Sequence, residues 1–392
     1  MADYTESTIV TPFVQLAVLL NRRAFFYLYP HLFEHHIDKN LGVFKISQAK
    51  WSWKLIPFIL SILIFTTILG LGCCFYLCAT HFLGIRTGRH RLELHIVLEI
   101  EFLAALGFLE VFSLITLVKK PLLMTCFNEI FHLERRCRTL SGLNEGNQSR
   151  DLNDLIGAFL ILATVSFAFG GPFAIPLGLA TRVDPFYYVA EEFLPDPHYR
   201  SMDLIVLVPI IRYIVSFFCV MEFLRIGVHG MFFISLSISA LHSLLENLPK
   251  IESNVQSFRI FLQVRVFFAT ASELINSVAL VSVIVGHVMT VLVLWATIML
   301  TGIINPLVSL FFLCTSIFFL GLTVVVLRAP ALFTYKTSTY IRGKRMMNPR
   351  LKYHQSIHIR CGPFFVFKHS TVMAYFNNIA NNLTNAVLLV QP

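Results

Sequence analysis

Asn377, Asn381, Thr384, Leu388 and Gln391 stand near the end of a 392-residue chain at offsets of 4, 7, 11 and 14, the spacing that puts five side chains on one narrow face of a helix. The stretch that carries them, Thr371 to Gln391, is long enough to cross a bilayer. A buried amide without a partner costs on the order of 1 to 3 kcal/mol, so lipid is a poor neighbour for this face. Two environments satisfy it. One is a wetted path lined by uncharged dipoles, which coordinates monovalent cations loosely; a ring of leucines at Leu388 among polar rings would dewet when narrow and act as a gate. The other is a bundle with no hole, in which the amides zip helices together.

The rest of the chain must position that helix. With 56% hydrophobic and 14% charged residues and a mean hydropathy of +0.72, the composition is that of a multi-pass membrane protein rather than a soluble enzyme. Seven apolar runs of membrane length begin near Leu55, Leu94, Leu155, Val208, Val278, Leu307 and Val372 and end near Ala79, Val118, Leu179, Ile234, Leu300, Leu327 and Val390. The net charge of +9 does not point to nucleic acid, because its carriers alternate by loop. Of 31 Lys and Arg residues, 24 lie in the segment before the first run and in the loops after the second, fourth and sixth. The first and third loops hold the others, apart from Arg212 and Arg225 inside the fourth run. By the positive-inside rule the N-terminus is cytoplasmic and the C-terminus extracellular. Phe13 to Leu20 runs into Arg22 and Arg23 without a small-residue cleavage site, so no secretory signal is expected.

These patterns predict an all-α, seven-transmembrane fold with a helical cytoplasmic base. Ile238 to Leu248 continues the fourth span with apolar residues at helical spacing, and Phe258 to Leu274 leads into the fifth in the same way. The expected divisions are a cytoplasmic segment over 1–54, six spans with their extensions over 55–327, a cytoplasmic segment over 328–370 and the last helix over 371–392. The third loop, with Asp184, Phe186, Tyr187, Tyr188, Glu191, Glu192 and Asp196, reads either as a ligand vestibule or as a solvated loop.

Charges inside spans need a partner or a role. Glu222 and Arg225, three apart, are expected to pair. Glu99, Glu101 and Arg212 lie at similar depth near the outer ends of the second and fourth spans, where they could share a cavity. The aromatics at that depth are Phe169, Phe173, Tyr213, Phe217, Trp295, Phe311 and Phe312, each either a ligand contact or packing. Glu110 and His287 are deeper, with no partner evident from sequence. His31, Glu34 and His35 match H-x-x-E-H, which holds zinc when both histidines share one helical face, but a solvated juxtamembrane cluster is expected here. Eight cysteines without CxxC spacing argue against a disulfide framework or zinc. No P-loop, nucleophile elbow or dinucleotide fingerprint occurs, and no catalytic residue, cofactor or metal is expected.

The tail reads Thr384, Asn385, five apolar residues from Ala386 to Val390, then Gln391 and Pro392. It resembles the TY-hhhhh-QF signature in the last span of insect gustatory receptors, with Asn385 in place of Tyr and Pro392 in place of Phe. The stretch from Ile357 to Phe376, a Gly and aromatics before a helix, is similar to that family's turn into its last span. The resemblance implies a ligand-gated cation channel, a homotetramer or a heterotetramer with related receptors, at the plasma membrane. Its last helices would line the pore, with Leu388 at the gate and Gln391 in a hydrophilic ring. A small-molecule tastant would bind among the outer halves of the second to sixth spans. Two other classes stay open: a G-protein-coupled receptor, which needs the opposite orientation, and a transporter, for which Gly170-Gly171-Pro172 and Pro176 could break the third span but no matching break stands in a second half.

Overall fold

The computed structural model describes residues 11–25, 33–38, 43–48, 56, 61–83, 93–142, 147–180, 184–194, 202–300, 306–347 and 355–390. The fold is all-α, and the described residues of the seven apolar runs are helical. The first run is π-helical over Ser61–Leu71 and continues as α2 (Gly72–Phe82). The others are α3 (Glu93–Val118), α5 (Asn147–Ala180), α7 (Met202–Asn247), α9 (Ser272–Leu300), α10 (Pro306–Met347) and α11 (His369–Val390). Before and between them lie α1 (Pro12–Phe25), α4 (Lys120–Ser141), α6 (Pro185–Phe193) and α8 (Asn254–Thr270). Two small antiparallel hairpins complete the fold: β1 (Phe33–Asp38) with β2 (Val43–Gln48), and β3 (Arg360–Cys361) with β4 (Phe365–Val366). Among the described residues, α5 from Asp154 onward, Leu204–Lys250 and Ser272–Met299 are apolar and long enough to cross a bilayer unaided. The last helix falls short of that standard because its amides dilute its apolar content.

Helix α7 has 46 residues and α10 has 42, about 69 and 63 Å at 1.5 Å per residue, roughly twice a hydrocarbon core of about 30 Å. Their excess builds the base. The expected extension of the fourth span is present as the end of α7, and the expected helix leading to the fifth span is α8, separated from α9 by a break at Ala271. The expected boundary between residues 327 and 328 falls inside the continuous helix α10. Hydropathy marks where a helix leaves the membrane, and the helix itself persists for another five turns through good helix formers such as Ala331, Leu332 and Lys336.

Helix α4 carries part of the second loop and lies at 81° to the end of α3. The chain turns at Lys119 (φ −102°, ψ 17°), and Pro121 at the start of α4 has no N–H to continue the ladder. The candidate break at Gly170-Gly171-Pro172 is not observed, since α5 runs unbroken through both prolines. Phe33–Asp38 is a strand, so Glu34 and His35 do not share the helical face that a zinc site would need; His31 lies outside the described residues.

The two largest apolar cores among the described residues hold most of the bundle. In the first, Val14, Ala17 and Phe25 of α1 pack with Phe127 and Phe131 of α4, Leu160 of α5 and Phe232 of α7. Here α1 crosses α5 so closely that a Cβ at Gly157 would stand 2.7 Å from the Phe13 Cβ and 2.8 Å from the Val14 nitrogen, an approach only glycine permits. The second core is the base: Leu244 and Leu248 end α7, Phe261 and Val264 belong to α8, Phe333 and Ile341 to α10, and Ile359 and Phe367 flank the second hairpin. That hairpin turns at Gly362 (φ 53°) and docks on α9 through Asn276, whose side chain accepts from the Arg360 N–H at 3.1 Å.

In the base, Lys336 of α10 donates to Glu246 at 2.9 Å and lies 2.9 Å from the His242 Nε2, so a neutral imidazole accepts there. Burial, and then the Lys336 cation, push the His242 imidazole below its ordinary value against the pull of Glu246. An unfolded chain takes up this proton first as pH falls below about 6.5, so the contribution of His242 is complete at neutral pH and is lost on acidification. Thermal unfolding of the solubilised protein between neutral pH and about pH 5 should therefore weaken more steeply in the wild type than in His242→Gln. Identical slopes would remove this role.

Candidate functional site

The last helix has two unlike faces. Tyr375 and Ile379 are buried, and Phe376, Leu383, Ala386 and Val387 half-buried, against α9 and α10. Asn377, Asn381, Thr384 and Leu388 are exposed on the protomer, together with Asn378 and Asn385 beside them; Gln391 lies outside the described residues. Leu388 is 60% exposed, a large apolar group amid amides. The Thr384 hydroxyl donates back to the Ala380 carbonyl at 2.9 Å, which leaves its methyl and an oxygen lone pair outward.

Three polar contacts set the register of the packed face along α9. The Tyr375 hydroxyl donates to the Val283 carbonyl at 3.3 Å, the Asn382 side chain lies 2.8 Å from the His287 Nε2, and the Trp295 indole donates to the Ala386 carbonyl at 3.2 Å. His287 also meets the edge of the Tyr375 ring, with centroids 5.2 Å apart. His287, without an evident partner in the sequence, is thus part of the α9–α11 seam. Its counterpart is Asn382, which falls on the packed side of α11 rather than on the amide face.

The ligand-contact candidates are not brought into one place. Arg212 lies over the Tyr187 ring at 4.9 Å and forms a two-pronged ion pair with Asp184, rather than facing a cavity shared with Glu99. Glu99 is buried, beside the thiols of Cys74 and Cys78. Phe169 and Phe173 point out of the protomer, 64% and 76% exposed. Trp295 is buried against the last helix. Tyr213 and Phe217 do form an aromatic row, 6.1 Å apart, which Phe218 continues onto Phe65 with centroids at 4.4 Å. The side chains of Glu101, Phe311 and Phe312 lie outside the described residues.

Within the third loop, residues 184–194 are described and rest on the bundle, and Asp196 lies outside the described residues. Asp184 caps α6 by accepting from the Tyr187 N–H at 2.9 Å, and Phe186 is buried with Cys74, Leu106, Val215 and Cys219. Asp followed by Pro at the first helical position was a legible helix start that hydropathy alone passes over. Deeper in the bundle, Glu110 accepts from the hydroxyls of Thr66 at 2.6 Å and Thr67 at 2.7 Å, and Glu222 pairs with Arg225 at 2.5 Å as its spacing predicts.

No protein-family model matches the chain, and no curated protein matches it either. Solved structures do. The insect olfactory receptor OR5 from Machilis hrabei in complex with eugenol superposes with a TM-score of 0.57 at 9% identity, over 96% of this chain and 98% of that one. Another structure of the same receptor gives a TM-score of 0.53 at 13% identity, over 97% of each chain. Over nearly its whole length the chain is similar in fold to an insect olfactory receptor.

Proposed function

We propose that this protein is a chemosensory receptor of gustatory type that acts as a ligand-gated, nonselective cation channel in the plasma membrane. The observation that carries the reading is the division of α11: one face packed on α9 and α10, the other exposed and bearing Asn377, Asn381, Thr384 and Leu388. Four protomers around an axis, identical or mixed with related receptors, would turn those exposed faces toward one another, with Leu388 closing the path and Gln391 at its outer end. Rings of amides in a wetted path suit weakly selected monovalent cations.

The neighbouring structure holds a small aromatic compound, eugenol, which makes a small organic ligand the matching expectation here. Tyr213 and Phe217 with Glu99 are the contacts favoured for it, because Tyr213 and Phe217 form one aromatic row on α7 and Glu99 is a carboxylate buried in the bundle. Ligand contacts that favour one bundle geometry would shift the population toward open channels.

The orientation decides between this reading and a G-protein-coupled receptor. Tags at both termini, probed in intact and permeabilised cells, should find the N-terminus inside and the C-terminus outside, with the glycosylation triplet Asn147-Gln148-Ser149 in the second loop free of sugar. An outside N-terminus with sugar on Asn147 would withdraw the channel reading.

A further inference from the structure

A groove separates α4 from α8 in the base, and its two ends differ in chemistry. One cavity of about 530 Å³ is lined by His132, Arg135 and Arg136 of α4 and by Gln256 and Arg259 of α8. A second, of about 520 Å³, shares His132, Arg136 and Arg259 with it and runs on between Leu122 and Cys126 of α4 and Val266 and Phe267 of α8. The apolar end is the end nearest the spans: α4 begins two residues after α3 ends, and α8 gives way to α9 across the single residue Ala271. One carboxylate, Glu129, lines the apolar half; no carboxylate lines the basic half.

Among the described residues, Arg135, Arg136 and Arg259 have no carboxylate partner, whereas neighbouring Arg138 is held by Glu134. Arg136 makes only a long contact, 3.5 Å, to Gln263. Three guanidiniums and an imidazole around one cavity are strongly anion-seeking, and guanidinium forks match phosphate oxygens two at a time. A basic cavity that opens along an apolar channel toward the bilayer fits a molecule with a phosphorylated head and acyl chains. We propose that the α4–α8 groove binds the phosphorylated headgroup of an anionic membrane lipid, its chains running past Val266 and Phe267 to the bilayer. The proposal rests on the cytoplasmic placement of the base, where anionic lipids concentrate.

The test uses the full chain in detergent micelles, titrated with dioctanoyl phosphatidylinositol bisphosphate, dioctanoyl phosphatidylcholine and free inositol trisphosphate. Saturable binding of the first and none of the second is expected. The triple variant Arg135→Gln, Arg136→Gln, Arg259→Gln should weaken it by at least about tenfold, since each basic group near a lipid surface contributes on the order of 1 kcal/mol. The triple variant Lys250→Gln, Arg328→Gln, Arg342→Gln, which removes the same charge elsewhere, should cost no more than about threefold. Both variants are compared only where their thermal unfolding matches the wild type. Equal losses in the two, or no saturable binding, would overturn the site; free inositol trisphosphate binding as tightly as the lipid would overturn its lipid source. Binding in micelles does not depend on sidedness or current, so failure here and failure of the channel reading are read separately.

Discussion

If the proposed pore is right, replacing Leu388 with serine should raise current in the absence of ligand. A closed ring of leucines is held by mutual apolar contact and by the reluctance of water to fill a narrow apolar gap. Fully burying a leucine is worth about 1.5 to 3 kcal/mol. If each of four subunits gives up only about 0.5 kcal/mol of that in the closed state, the total of about 2 kcal/mol raises a low resting open probability about thirtyfold. The readout is leak current without ligand, normalised to surface protein. Leu383 supplies the control: it lies on the packed face with Trp295, so Leu383→Ser should lower surface expression rather than raise leak. Unchanged leak in surface-localised Leu388→Ser channels would remove Leu388 from the gate. Equal leak from both variants would show loosening of the helix rather than opening of a gate.

The second large effect concerns the buried pair in α7. Glu222 is 1% exposed and Arg225 is 3% exposed, one turn apart in the middle of the bundle. Removing one partner strands the other's charge where neither water nor lipid solvates it, at a cost of about 3 to 5 kcal/mol. Arg225→Met should therefore abolish or sharply reduce folded, surface-localised protein. Removing both charges together, with Glu222→Gln and Arg225→Met, replaces the pair by groups that need much less solvation and should restore most of the loss. Surface expression and thermal unfolding in detergent measure both. A double variant no better than the single one would mean that the pair does more than neutralise itself, for instance by fixing the packing of α7.

Local pattern was enough for the helices. Runs of apolar residues about twenty long fix where the chain crosses a bilayer, and apolar residues at helical spacing in Ile238–Leu248 and Phe258–Leu274 were enough to extend the base. Pattern also failed in recognisable ways. Hydropathy was silent on α4 and on the last five turns of α10, because a helix that leaves the membrane loses its apolar surplus without losing its helicity. H-x-x-E-H holds zinc only on a helical face, and the strand at Glu34 and His35 does not supply one, since two His and an acid say nothing about backbone conformation. Asp184-Pro185 is a capping signal to which hydropathy is blind.

The sequence by itself determined the all-α class, the seven apolar segments, the Glu222–Arg225 pair and the concentration of amides on one side of the last helix, because each follows from spacing along a single helix. Only the tertiary structure decided which distant polar groups meet: Glu110 with Thr66 and Thr67, Arg212 with Asp184, His287 with Asn382. It also decided that Trp295 braces α11 and that the amide face of that helix stays exposed on the protomer. The reason is physical. Contacts within a helix are fixed by its 3.6-residue period, whereas contacts between helices depend on their crossing and register, which arise from packing across the whole bundle and leave no periodic trace in any one segment.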